Sequence, residues 1–179
     1  VLGRAVNGWT FWRLPDGRPL MDARREHAGI LAKPELYRAF WAELLERLHA
    51  THPGWSSSQG TQASWLTLPY GTGTAYYTMA FTNSGQIIEL NFATSDVTAN
   101  DSAYAAFLAH REALESAFGG ELAWETPEGA KSRRIRAYRS EGGRVEDIAD
   151  REAQVSWFLS TMQRFRAATQ QVRGMIEQP

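Results

Sequence analysis

Residues 63–96 read ASWLTLPYGTGTAYYTMAFTNSGQIIELNFATSD, and the fold follows from how this stretch pleats. Residues 64–68 are apolar and β-rich, and Gly71-Thr72-Gly73 breaks that run. Tyr76-Tyr77-Thr78-Met79-Ala80-Phe81 is a second β-rich run. Asn83-Ser84-Gly85 is a hairpin signal, and Ile87-Ile88-Glu89-Leu90-Asn91-Phe92 completes a three-stranded meander. Side chains alternate across a strand, so Ile88, Leu90 and Phe92 share one face while Ile87, Glu89 and Asn91 share the other. One face is fully apolar and has to be covered by helices.

Helical patterns flank the meander on both sides. Upstream, Pro34 opens a helix whose Tyr37, Phe40, Trp41, Leu44, Leu45 and Leu48 make one apolar stripe, with Glu43 and Arg47 paired on the exposed side. Pro53-Gly54 ends it, and a polar loop from Trp55 leads into the first strand. Downstream, residues 96–101 supply a loop and cap for a helix over about 102–118, with Tyr104, Phe107, Leu108, Leu114 and Phe118 buried and Gly119-Gly120 as the stop. Two short strands follow, over 122–125 and 132–138, antiparallel to one another. A last helix is predicted from near Val145, with Glu146 and Asp147 in its first turn, to about Ile176. Its Ile148, Val155, Phe158, Leu159, Met162, Phe165, Val172 and Ile176 recur every three to four residues. That stripe covers the meander or serves a partner. The fold class is α+β: a mainly antiparallel sheet with helices packed on it, in the order hairpin-α-β-β-β-α-β-β-α.

A chain of 179 residues suits one domain, or one domain with an appendage. Its seven Trp, eight Phe and six Tyr can supply a substantial core. A net charge of −1 excludes a uniformly basic nucleic-acid binder but not a local basic face. The absence of Cys excludes thiol catalysis, disulfides and Cys-based zinc sites. No membrane-spanning run and no signal pattern are present, so a cytoplasmic location is expected. A chain opening on Val1 rather than Met is expected to be a piece of something longer.

Residues 1–33 are expected to form a hairpin and connector, and 34–179 the main domain. Asn7-Gly8 and Pro15-Asp16-Gly17 flank the aromatic run 9–12. Val6, Asn7, Gly8, Trp9, Phe11, Trp12, Gly17, Leu20, Arg24 and Arg25 resemble the closing segment of the restriction-adenine-methylase-associated (RAMA) domain. That resemblance implies the tail of a reader of modified DNA; Trp9 and Trp12 can equally be packing residues. Over about 36–176 the chain resembles the bacterial domain of unknown function 4268 family. The resemblance rests on Phe40-Trp41, Glu89-Leu90, Leu108, Glu112, Glu115, Gly120, Leu122, Trp124, Glu125, Ser132-Arg133, Ile135 and Trp157. It implies restriction and defence modules as neighbours rather than a particular reaction.

The candidate site is the basic run EGAKSRRIRAYR, residues 128–139, whose five cations and one acid leave a net charge of +4. Lys131, Arg133, Arg134, Arg136, Arg139 and Tyr138 are the expected DNA- or phosphate-binding residues, because guanidinium groups beside an aromatic suit phosphate contact and base stacking. In a strand, Arg134, Arg136 and Tyr138 share one face. The competing account pairs these cations with acids such as Glu125.

No catalytic residue, metal ligand set or cofactor is singled out. The helix–strand order matches PD-(D/E)XK nucleases, but Asn91 stands where their Lys would be and the second strand ends without an Asp, leaving Glu89 and Asp96 as poor metal ligands. A lone strand Glu paired to an Arg accounts for Glu89. His49 and His52 lack a third ligand, Ser56-Ser57-Ser58 lacks an elbow motif, and Trp55, Trp65, Trp124 and Trp157 are expected as core or pocket walls. The expected function is a non-catalytic DNA-binding or accessory module of a bacterial restriction or anti-phage system. The alternatives are an assembly domain that dimerises or holds other restriction subunits through its last helix, and a divergent metal-dependent nuclease.

Overall fold

The computed structural model describes Pro15, Gly17 and residues 32–139 and 143–177. The hairpin and connector expected over residues 1–33 lie outside the described residues apart from Pro15, Gly17, Ala32 and Lys33. Helix α1 (Lys33–Thr51) leads into strands β1 (Trp65–Pro69), β2 (Ala75–Thr82) and β3 (Gly85–Phe92). Helices α2 (Val97–Ala109) and α3 (Arg111–Phe118) follow, then strands β4 (Ala123–Glu125) and β5 (Arg133–Arg139). A 3₁₀ turn (Ile148–Asp150) opens onto helix α4 (Arg151–Glu177). The five strands form one sheet in the order β1-β2-β3-β5-β4, and every neighbouring pair is antiparallel. The α+β architecture expected from the meander is the architecture observed.

Pleating sorts the sheet into two faces. Leu66, Leu68, Tyr77, Met79, Phe81, Ile88, Leu90, Phe92, Ile135 and Ala137 are buried on one of them. The helices bring their stripes to this face. Phe40 and Trp41 of α1 and Phe158 of α4 meet the Phe81 ring at centroid distances of 4.8, 5.6 and 5.5 Å. Further along, Phe165 of α4 lies against Tyr77, and Tyr104 and Phe107 of α2 lie against Phe92. Ring pairs at these distances add about 0.5–1.5 kcal/mol each beyond their burial. The last helix therefore spends its apolar stripe on the sheet.

Three details differ from the sequence-based expectation. The helix expected over 102–118 is two helices, broken at His110, whose backbone (φ −110°, ψ 24°) has left the helical region. The break lets Leu114 and Phe118 turn into the core while Leu108, expected inside, is 42% exposed. The last helix begins at Arg151, so Glu146 and Asp147 precede it, and Glu146 reaches back to Lys33 at 3.1 Å. Trp65, expected as a core or pocket wall, is 55% exposed, because the alternation that buries Leu66 and Leu68 turns it outward.

Local contacts fix the connections around the strands. Asp96 caps α2 by accepting from the Ala99 N–H at 3.0 Å. The buried Asn100 side chain then ties two loops together, accepting from the Thr94 N–H at 2.9 Å and donating to the Lys131 carbonyl at 3.0 Å. Gly143, at φ +132°, lies against the start of β3, where an added Cβ would come within 2.9 Å of the Gly85 Cα. Only glycine fits there. No helix among the described residues is long and apolar enough to cross a membrane.

Candidate functional site

The second face of the sheet carries the polar chemistry. The strand registers arrange it in three rows. The first runs Trp65, Ala80, Ile87, Tyr138. The second runs Thr67, Thr78, Glu89, Arg136, Ala123, and the third runs Pro69, Tyr76, Asn91, Arg134, Glu125. The rings of Trp65, Tyr138 and Tyr76 are exposed by 55%, 45% and 37%. They surround a buried polar centre of Thr78, Glu89 and Asn91.

That centre is fully connected. Asn91 Nδ2 donates to Thr78 Oγ1 at 3.1 Å and to Glu89 Oε1 at 3.0 Å. Arg136 Nε donates to Glu89 Oε2 at 2.5 Å, and its Nη1 lies 2.7 Å from Glu125 Oε2. The Tyr138 hydroxyl donates to Glu125 Oε1 at 2.6 Å and accepts from Arg136 Nη1 at 3.2 Å. Burial opposes the charge on Arg136, yet the Tyr138 hydroxyl and the Glu89 and Glu125 carboxylates outweigh it and raise its pKa above the usual arginine value. Burial and the bond to Glu125 raise Tyr138, which stays a neutral phenol. A buried ion pair with its remaining polar atoms satisfied is rigid, and it strands a charge if either partner is lost.

The six residues named from sequence do not form one cationic surface. Arg134, Arg136 and Tyr138 share the second face, as the alternation requires. Arg133 and Arg139 point to the helix side. Arg133 pairs with Asp101 at 2.7 Å, and Arg139 with Asp150 at 2.9 and 3.0 Å and with Gln86 at 2.6 Å. Lys131 lies exposed in the loop before β5. Acids thus neutralise three of the five cations. The Arg134 side chain makes no hydrogen bond or ion pair among the described residues, and its Nε is buried without a partner.

The alternatives considered from sequence meet specific geometry. Both oxygens of Glu89 are occupied by Asn91 and Arg136, and the Asp96 side chain is engaged in capping α2. Among the described residues no group of three His, Asp or Glu side chains gathers as a metal site. His49 Nε2 lies 2.9 Å from the Ser56 carbonyl, and the His52 ring stacks on Trp55 at 3.9 Å. The exposure of the Trp65 and Tyr76 rings is not among the expectations from sequence. The signal was there, since Leu66 and Leu68 sharing one face places Trp65 on the other.

The sequence profile of the family described as "Domain of unknown function (DUF4268)" matches residues 36–173. The chain belongs to the DUF4268 family. The match begins in α1 and ends in α4, so all five strands and both faces of the sheet are family structure. No curated protein and no solved structure matches the chain.

Proposed function

We propose that this DUF4268 domain is a non-catalytic DNA-binding or accessory module of a bacterial restriction or anti-phage system, working through the second face of its sheet. Arg134 carries the proposal. Its half-buried side chain has no acid partner among the described residues while each neighbouring strand arginine is matched to an acid, so it is the guanidinium on this face best placed to take a phosphate oxygen. Lys131, in the loop before β5, adds an exposed cation. The RAMA-like residues Trp9, Phe11 and Trp12 support the same context, since a reader of modified DNA is a fitting neighbour. The working place of such a module is the cytoplasm, where the DNA is.

Assembly through the last helix has less support, because Val155, Phe158, Met162, Phe165 and Val172 are already buried against the domain's own core. Nuclease chemistry has less support because Glu89 is held by Arg136. The test is a fluorescence-polarisation titration of labelled DNA at low and moderate salt with the wild type and Arg134→Glu. Wild-type binding that weakens about tenfold in the variant is expected, the scale of one charge-assisted contact. No binding to any DNA, or equal binding by the two proteins, overturns the proposal.

A further inference from the structure

We infer that the DNA this face accepts is single-stranded, with bases stacked on the rings of Trp65, Tyr76 and Tyr138 and a backbone phosphate at Arg134. The inference rests on the DNA-binding reading above and narrows it. Charge is the first reason. A duplex binder neutralises several phosphates at once, on the order of 6–10 in strong cases. The second face presents Arg134 as its unmatched cation, beside Glu89 and Glu125, whose charges are engaged by Arg136. The whole chain has a net charge of −1. Such a surface cannot hold a duplex by its backbone.

Shape is the second reason. An antiparallel face with exposed rings at its margins is a stacking platform, and stacking needs bases that are not buried in a duplex. Trp65 and Tyr138 end one cross-strand row, separated by three strand spacings, roughly 14 Å. Tyr76 and Arg134 lie in the third row, two strand spacings or about 10 Å apart. Arg134 and Tyr138 are four residues apart on β5, roughly 13 Å. Three rings and one guanidinium at that spread suit a strand of roughly four nucleotides, the lower end of known single-strand site sizes. The fully bonded Thr78–Asn91–Glu89–Arg136 centre fixes the platform and leaves the rings as its exposed parts.

The experiment titrates the full chain with a labelled 15-nucleotide oligo-dT and with a labelled 15-base-pair duplex. Trp65→Ala, Tyr76→Ala and the conservative Trp65→Phe serve as variants. The rings of Trp65 and Tyr76 are exposed, so removing them leaves the core intact. The single strand is expected to bind at least tenfold more tightly than the duplex. Each alanine variant is expected to lose about tenfold, and Trp65→Phe to keep most of the affinity. Raising salt from 50 to 200 mM should weaken single-strand binding by only about threefold to sevenfold, the slope for one or two phosphates. Equal or tighter binding of the duplex overturns the inference but leaves the DNA-binding reading standing. So does single-strand binding indifferent to Trp65 and Tyr76. Binding of neither probe overturns both.

Discussion

Arg136 shows what a single residue can and cannot be read to do. Its place in a basic run marks it as a candidate for phosphate. Its place in the sheet makes it the counter-ion of Glu89, 47 positions away in the chain, and of Glu125. Both side chains of the central pair are largely buried, at 15% and 10% exposure. Removing one partner leaves the other charged in a poorly solvated place. Arg136→Ala is therefore expected to lower the free energy of unfolding by about 3 kcal/mol. Replacing both members of the pair, as in Glu89→Leu/Arg136→Met, is expected to recover most of that loss, because the buried carboxylate is gone and Glu125, at 29% exposure, keeps water and the Tyr138 hydroxyl as partners. Urea denaturation of the two proteins and the wild type makes the comparison; a double variant no more stable than Arg136→Ala would show that the cost lies in packing instead.

Elements obey local rules well until a neighbour intervenes. Alternation in residues 75–92 reproduces both faces of β2 and β3, and the stripe over 36–48 reproduces the buried side of α1. The break at His110 was not legible, because Tyr104, Phe107, Leu114 and Phe118 fit one continuous helix equally well. What separates α2 from α3 is the docking of α3 at the corner before β4. There Glu115 Oε1 accepts from the Leu122 N–H at 3.2 Å, from Trp124 Nε1 at 3.0 Å and from Arg111 Nε at 3.1 Å. Burial works to raise the Glu115 pKa, but the Trp124 and Leu122 donors and the Arg111 charge outweigh it and hold the carboxyl below its ordinary range. The folded state therefore binds the Glu115 proton less readily than the unfolded chain. Its contribution is present above the ordinary carboxylate pKa, about 4.3, and fades as pH falls through the lower folded value. Glu115→Gln is expected to cost about 1–2 kcal/mol at pH 7. Thermal melts of the two proteins should converge as pH falls from 6 to 3, and parallel melts at every pH would rule out the charge as the cause.

At the scale of the whole molecule, one long rod organises the rest. Helix α4 has 27 residues and runs about 40 Å, enough to cross every element of the helical layer. Phe158 meets α1 and β2 through Phe40, Trp41 and Phe81. Arg164 Nη1 donates to the Phe118 carbonyl at the end of α3, and Thr169 Oγ1 lies 2.7 Å from the Tyr77 hydroxyl. Gln170 Nε2 donates to the Tyr70 carbonyl in the loop between β1 and β2. The amphipathic pattern of α4 was legible as a stripe, but its destination was not, since a stripe reads the same whether it meets its own sheet or another chain. Because α4 touches α1, α3 and the sheet, no part of the helical layer can let go of it alone. Phe158→Ala opens a cavity where the rings of Phe40, Trp41 and Phe81 converge, and a loss of about 3–5 kcal/mol is expected. The more telling expectation concerns how that loss is distributed. Tryptophan fluorescence, to which Trp41 at the α1 end and Trp124 at the β4 end contribute among the seven tryptophans, and far-UV circular dichroism should shift to lower urea together and keep one transition. Separate transitions in the variant would mean that the α1–Phe81–Phe158 end and the α2–Phe92–Trp124 end hold together independently, with α4 bridging two cores rather than closing one.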